Sequence, residues 1–430
     1  MAVKSAFPRP AGRANRQSLL LQQGVLALLL WGTTALLAAE PETPSPDWQL
    51  LQKQALALGE LKQAPRYEAA AGFEAANGLE PIFYEGLPWQ GRPTRVFAWL
   101  GLPPAAKNGK RVPGVVLVHG GGGTAFREWV EKWNAHGFAA ISIAVEGQTD
   151  VPDPAQRWQR HPHGGPARAG IYADSDKPLA EQWMYHAVAD TVLANSLLRS
   201  LPAVDAEHVG LMGISWGGVI TSTVMGIDDR FAFAIPTYGC GDLSQVGNQY
   251  GRALGNNQMY QRVWDPLVRM NRVKMPVLWL SWTGDQHFPL DSLRSCYSAA
   301  PGPHMVAMVP NMRHGHGAGW NPEDSYAFAD SIVRDGAPWC LQQELKLAGR
   351  DVEAQFVSAK PIDRATLVYT LDRGFTGTRD WKQAQAMFQQ NRDRVTVKTA
   401  LPADVTAWFL SVHSGKLVAS SDYREAEAAR

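Results

Sequence analysis

His208-Val209-Gly210-Leu211-Met212-Gly213-Ile214-Ser215-Trp216-Gly217-Gly218-Val219 is the stretch that decides the fold. A short apolar run, Val209–Gly213, reads as a buried strand. It meets Gly213-Ile214-Ser215-Trp216-Gly217-Gly218 and passes without a spacer into the helix-forming run Val219–Met225. So sharp a strand-to-helix turn strains the residue between the glycines and lifts its hydroxyl above the sheet. Small residues flank that position because side chains there would clash, and the helix N-terminus adds a positive dipole beside it. Ser215 is therefore the candidate nucleophile. The plainer alternative, a glycine-rich turn at a helix start, does not require the strand that leads into it.

A serine hydroxyl is a weak nucleophile unless a base takes its proton and a third group orients the base. Two later strands end on such groups. Val277–Trp282 runs into Thr283-Gly284-Asp285, and Met305–Val309 runs into Asn311-Met312-Arg313-His314-Gly315-His316. Asp285 is the candidate orienting acid, against the common turn-capping role of such an Asp. His314, first after its strand, is the candidate base, with His316 as the alternative and otherwise a pocket residue. The order Ser, Asp, His suits a nucleophile carried on an open α/β sheet. An oxyanion needs two backbone donors. One expected donor is the N–H of Trp216. The other comes from His119-Gly120-Gly121-Gly122-Gly123, after the strand Pro113–His119; Gly121 is the choice, with Gly120 and Gly122 as alternatives. That loop is not a phosphate cradle, because no Gly-Lys-Ser/Thr follows it. His119, His316 and Trp320 are the expected substrate-binding side chains. His161 and His163 form a second pair, expected to be solvated or to line a substrate loop. No metal or organic cofactor is implied.

Around these motifs the pattern alternates. Residues 45–66 have helical composition, and 78–103 read as a hairpin turning near Gly91-Arg92-Pro93. Ala125–His136 reads as a helix ending at Gly137, Phe138–Val145 as a strand, and Ala180–Leu201 as a long helix with one apolar face. Phe231–Tyr238 reads as another strand. Such alternation predicts an α/β fold, a mostly parallel, doubly wound sheet covered on both faces. Residues 146–179 and 240–272, rich in Gly, Pro, Asn and aromatics, are expected to be cap loops. Period-two alternation after Cys340 predicts a small all-β sandwich over 341–430, so the segments are 40–94 leading in, 95–340 catalytic, and 341–430.

Composition excludes several classes. Of 430 residues, 45% are apolar and 19% charged, so a large core is available. Four of the 41 cations (Lys4, Arg9, Arg13, Arg16) lie in residues 1–39, leaving 37 against 40 carboxylates, no basic excess for a nucleic-acid partner. The basic start, the leucine-rich stretch 19–38 and Ala38-Ala39 have the layout of a signal peptide cut near Ala39, hence a periplasmic or secreted product with no membrane partner after cleavage. In an oxidising compartment Cys240, Cys296 and Cys340 would give one disulfide and one spare thiol.

Together, Ser215 in Gly-Ile-Ser-Trp-Gly-Gly, Asp285, His314 and the His119–Gly123 loop resemble the α/β-hydrolase superfamily over roughly 95–340. The Gly-x-Ser-(aromatic)-Gly-Gly form is similar to the catalytic domain of prolyl oligopeptidase-type enzymes. Glu146-Gly147-Gln148 and the loop Gly-Asp-Gln-His-Phe-Pro are similar to bacterial acetyl xylan esterases and dienelactone hydrolases. Three positions depart from the esterase pattern: Glu146 stands for its Arg, Trp216 for its Gln, and Gly315 for its Glu. The resemblance implies a serine esterase acting on a small-molecule or oligosaccharide ester, including acyl groups on polysaccharides. Peptidase action on short peptides is the alternative, and a non-catalytic carbohydrate-binding protein on a hydrolase fold is the third. Among sixteen tryptophans, Trp129, Trp133, Trp216, Trp282 and Trp320 lie near the motifs and are candidate sugar platforms.

Overall fold

The computed structural model describes residues 46–426; the expected signal segment and its cleavage point lie outside them. Eight strands build the sheet that carries the site: β1 (Leu79–Trp89), β2 (Arg92–Gly101), β3 (Val112–Val118), β4 (Ala139–Ile143), β5 (Val204–Ile214), β6 (Phe233–Thr237), β7 (Val277–Ser281) and β8 (His304–Met308). Their spatial order is β1-β2-β4-β3-β5-β6-β7-β8. β1, β2 and β4 pair antiparallel, and every pair from β4 to β8 is parallel. β4, β6 and β7 are buried at every residue, which is why they read as unbroken apolar runs.

The hairpin β1–β2 is part of this sheet, so the core begins at Leu79 and not at 95. Its turn is Gln90-Gly91, one residue earlier than expected, with φ of 51° and 71°. Positive φ at both central residues is the two-residue hairpin geometry that matches strand twist. The long helix occupies Trp183–Ser200 and is buried from Met184 to Leu198 except at Tyr185. One apolar face was expected. The outer face is covered too, because the segment after the helix Trp48–Ala57 lies across it and Ser196 donates to the Leu61 carbonyl at 2.6 Å.

The C-terminal strands form two antiparallel layers. β9 (Cys340–Ala348), β10 (Asp351–Ser358), β13 (Met387–Asn391) and β14 (Arg394–Ala400) make a four-stranded sheet in the order β9-β10-β14-β13. β11 (Arg364–Thr370), β12 (Trp381–Gln385), β15 (Ala407–Ser414) and β16 (Leu417–Ser420) continue the central sheet, because β16 pairs antiparallel with β8 at Val306–Ser420. The strands after 340 are thus joined to the central sheet and are not a free-standing sandwich. β10 keeps strict alternation of burial, whereas β15 is buried from Ala407 to His413.

Cys240, Cys296 and Cys340 are free and buried. The Gly241 N–H donates to Cys296 Sγ at 3.1 Å. Burial pushes the Cys340 thiol up to about 12.

Candidate active site

The elbow sits at the end of β5. Ser215 has φ 58° and ψ −116°, a strained conformation for a residue with a side chain. The neighbouring glycines are steric necessities. A Cβ at Gly213 would lie 2.0 Å from the Gly217 carbonyl oxygen, and one at Gly217 would lie 2.0 Å from that of Val118. The Ser215 N–H donates to Thr237 O at 3.0 Å, tying the turn to β6.

Asp285 and His314 reach this serine from the ends of β7 and β8. His314 Nε2 lies 2.9 Å from Ser215 Oγ, and His314 Nδ1 lies 2.7 Å from Asp285 Oδ2. Asp285 is 1% exposed, and its other oxygen accepts the N–H groups of His287 and Phe288 at 2.8 Å each. Trp282 Nε1 also donates to Oδ2 at 3.3 Å. These bonds fix the carboxylate so that it faces the imidazole.

Ser215 and His314 open onto a cavity of about 410 Å³, whose walls include Gly121, Trp216 and His316. The four glycines of the loop divide by role. Gly120 donates its N–H to His316 Nε2 at 3.0 Å, so that donor is engaged. Gly121, on the cavity wall, sits so close to Trp216 that a Cβ there would lie 2.9 Å from its Cδ1. Burial pushes His316 down to about 4, so the ring is neutral near pH 7 and Nε2 accepts.

Two expected substrate-binding residues are elsewhere. His119 is 1% exposed and stands outside the cavity lining. Its Nδ1 bonds the Gly120 carbonyl at 2.7 Å, and its Nε2 accepts from the Val145 N–H at 3.1 Å. Desolvation holds it down to about 4, so it is a neutral strut under the loop. Trp320 is buried at 5% exposure behind His316, with ring centroids 6.3 Å apart. Trp129 and Trp133 are core residues at 0% exposure. His161 is half-buried against Phe83, lining a separate hollow with His163.

Several site residues carried no sequence signal. Arg157 and Arg168 enter the cavity from residues 146–179, which are not all loop, because Gln148–Asp153 and Arg157–Arg160 pair as an antiparallel hairpin. Tyr238 donates to the Gly315 carbonyl at 2.5 Å, and its ring lies 4.4 Å from His314. His287 also packs 4.4 Å from His314 and is held through Nδ1 by Gln249 Nε2 at 2.7 Å. Asn248 Nδ2 donates to the carbonyls of Gln286 and His287 at 3.0 Å, so the 240–272 loop braces the loop that carries Asp285. Among the described residues, no group of three His, Cys, Asp or Glu side chains is placed to hold a metal ion.

Known proteins share the fold. The sequence profile described as acetyl xylan esterase (AXE1) matches residues 82–245, across the glycine loop and the elbow. Acetyl xylan esterase 1 from Thermoanaerobacterium sp. JW/SL YS485 superposes with a TM-score of 0.51 at 19% identity, covering 63% of this chain and 89% of that one. The chain has the α/β-hydrolase fold. A second profile, described as PhoPQ-activated pathogenicity-related protein, matches residues 231–334 of the chain. Acetyl xylan esterase from Paenibacillus sp. R4 has a TM-score of 0.48 at 20% identity, covering 64% of this chain and 92% of that one. Dipeptidyl-peptidase 5 of Schizosaccharomyces pombe is 26% identical over 174 residues, which is 38% of this chain and 23% of the relative. The chain thus spans about a quarter of the length of that curated relative.

Proposed function

We propose that the protein is an exported carboxylic ester hydrolase that works through an acyl-enzyme, with acyl groups on polysaccharides as its substrates. The observation that carries this reading is His314, hydrogen-bonded to Ser215 Oγ through one ring nitrogen and to Asp285 through the other. Ser215 Oγ attacks the ester carbonyl as His314 Nε2 takes its proton. The N–H groups of Trp216 and Gly121 hold the oxyanion. His314 returns the proton to the leaving alcohol and then activates the water that releases the acid. Asp285 keeps Nδ1 protonated and stabilises the imidazolium. The acetyl xylan esterase profile over 82–245 supports the ester substrate, and the basic and apolar layout of residues 1–39 supports export.

The 174-residue match to a dipeptidyl-peptidase favours a second reading, cleavage of short peptides. Hydrolysis of 4-nitrophenyl acetate set against proline 4-nitroanilides separates the two. Turnover of the ester with none of the anilides is expected; the reverse would make the protein a peptidase. Failure of a fluorophosphonate probe to label Ser215 would remove both readings.

A further inference from the structure

Both arginines of the cavity come from an insertion between β4 and the helix Trp183–Ser200, and both end against the glycine loop. Arg168 lies over the Trp216 ring with its guanidinium 5.1 Å from the ring centroid. Its Nε donates to Glu146 Oε1 at 3.3 Å and its Nη1 to the Gly170 carbonyl at 2.7 Å. Its Nη2 stands 3.1 Å from where a Cβ of Gly121 would be. Arg168 is thus locked by its inner edge and presents its remaining nitrogen beside Gly121.

Arg157 is exposed and has φ 73°, a left-handed backbone that a long side chain seldom adopts. The turn before it is set by Asp153, whose Oδ1 accepts the N–H groups of Ala155 and Gln156 at 2.7 and 3.3 Å. The next residue, Trp158, donates its indole N–H to the Gly122 carbonyl at 3.0 Å. Arg157 Nη1 comes within 3.0 Å of a Cβ position on Gly122. The indole anchor of Trp158 thus brings the Arg157 backbone to the loop, and the exposed guanidinium lies over Gly122. No Asp or Glu side chain lines the cavity. Arg157 and the outer nitrogen of Arg168, whose inner edge is paired with Glu146, bring cationic N–H groups to a cavity with no carboxylate in its lining, a setting that fits an anion.

We infer that the substrate carries a carboxylate, held by Arg157 and Arg168 beside Gly121 while Ser215 attacks the ester. This rests on the ester reading above and narrows it from neutral to acidic acyl compounds, such as esters of diacids or of acidic sugars. The carboxylate belongs either to the acyl half or to the alcohol half.

Matched substrates test both arms. Mono-(4-nitrophenyl) glutarate is compared with 4-nitrophenyl butyrate, and 4-acetoxybenzoate with 4-acetoxybenzamide. In one arm the charged ester should have a kcat/KM about tenfold or more above its neutral partner at low salt. That ratio should shrink as salt rises and collapse toward one in Arg157→Gln. The exposed position of Arg157 spares the fold, and Arg157→Lys should recover part of the ratio. A ratio near one in both arms, or a preference that survives Arg157→Gln, overturns the inference. If no ester is cleaved, the ester reading fails by itself, and the anion site is read from labelling. Glutarate should then slow fluorophosphonate labelling of wild type but not of Arg157→Gln; equal labelling with and without glutarate overturns it.

Discussion

His316 Nε2 accepts the backbone N–H of Gly120 at 3.0 Å, so the second histidine of His314-Gly315-His316 is tied to the glycine loop while the first faces Ser215. Two histidines two residues apart thus hold opposite walls of one cavity.

Replacing His316 by Ala leaves the Gly120 N–H without its partner, at a cost of about 1–3 kcal/mol if water does not enter. The loop that carries Gly121 then loses one of its tethers, the others being His119 on the Gly120 carbonyl and Trp158 on the Gly122 carbonyl. His316→Ala should lower kcat by roughly tenfold or more, since an oxyanion donor out of place weakens transition-state binding. His314→Ala should lower it by several orders of magnitude. Steady-state kinetics on 4-nitrophenyl acetate measures both, and the reverse ranking would exchange the roles of the two residues.

Ser215→Ala should fold as wild type does and lose covalent labelling, with turnover reduced by several orders of magnitude. Activity within tenfold of wild type would remove Ser215 as the nucleophile.

Gly217→Ala should not yield folded protein, because its Cβ would fall 2.0 Å from the Val118 carbonyl oxygen with only backbone to displace. Gly247→Ala is the control, since nothing lies within 4 Å of its Cβ position. Soluble yield and melting temperature should separate the pair; equal stability would show that the elbow relaxes more than its packing allows.

His119 sets an acid limit on stability. Burial lowers it to about 4, while an unfolded histidine titrates near ~6.5. Between those values the unfolded chain binds the extra proton, so stability falls as pH drops from about 6.5 to about 4. The full effect is about 3 kcal/mol. Melting temperature should decline steadily over that window, and His119→Gln should flatten the decline. An unchanged slope in the variant would place the acid sensitivity elsewhere.

Ser215, Asp285 and His314 were legible because each follows a buried strand whose apolar run is unmistakable, and strand ends of a parallel sheet converge on one edge. His119 and Trp320 were misplaced for a related reason. Neighbourhood in sequence says which loop a residue joins, not whether its side chain points into the cavity or under it. His119 turned inward to hold Val145 and the loop backbone. Arg157 and Arg168 lie in a stretch with no apolar period, and contacts distant in sequence bring them to the site, among them the indole anchor of Trp158, the Glu146 ion pair and the Trp216 ring. The hairpin β1–β2 was visible, but its membership of the central sheet depends on pairing with β4, 39 or more residues downstream of either partner.

The pairing of β16 with β8 sets an order on how the chain is completed. Val306 finds its partner at Ser420, and the same closing segment supplies Val418 N–H to Asp324 at 2.7 Å and Tyr423 N–H to the Tyr297 hydroxyl at 2.8 Å. Until those residues leave the ribosome or a translocation pore, β8 presents an open row of peptide groups, a template for any passing strand. That edge therefore stays open while the hundred or so residues between Met308 and Ser420 are being made, and it is sealed only when the segment carrying Ser420 arrives.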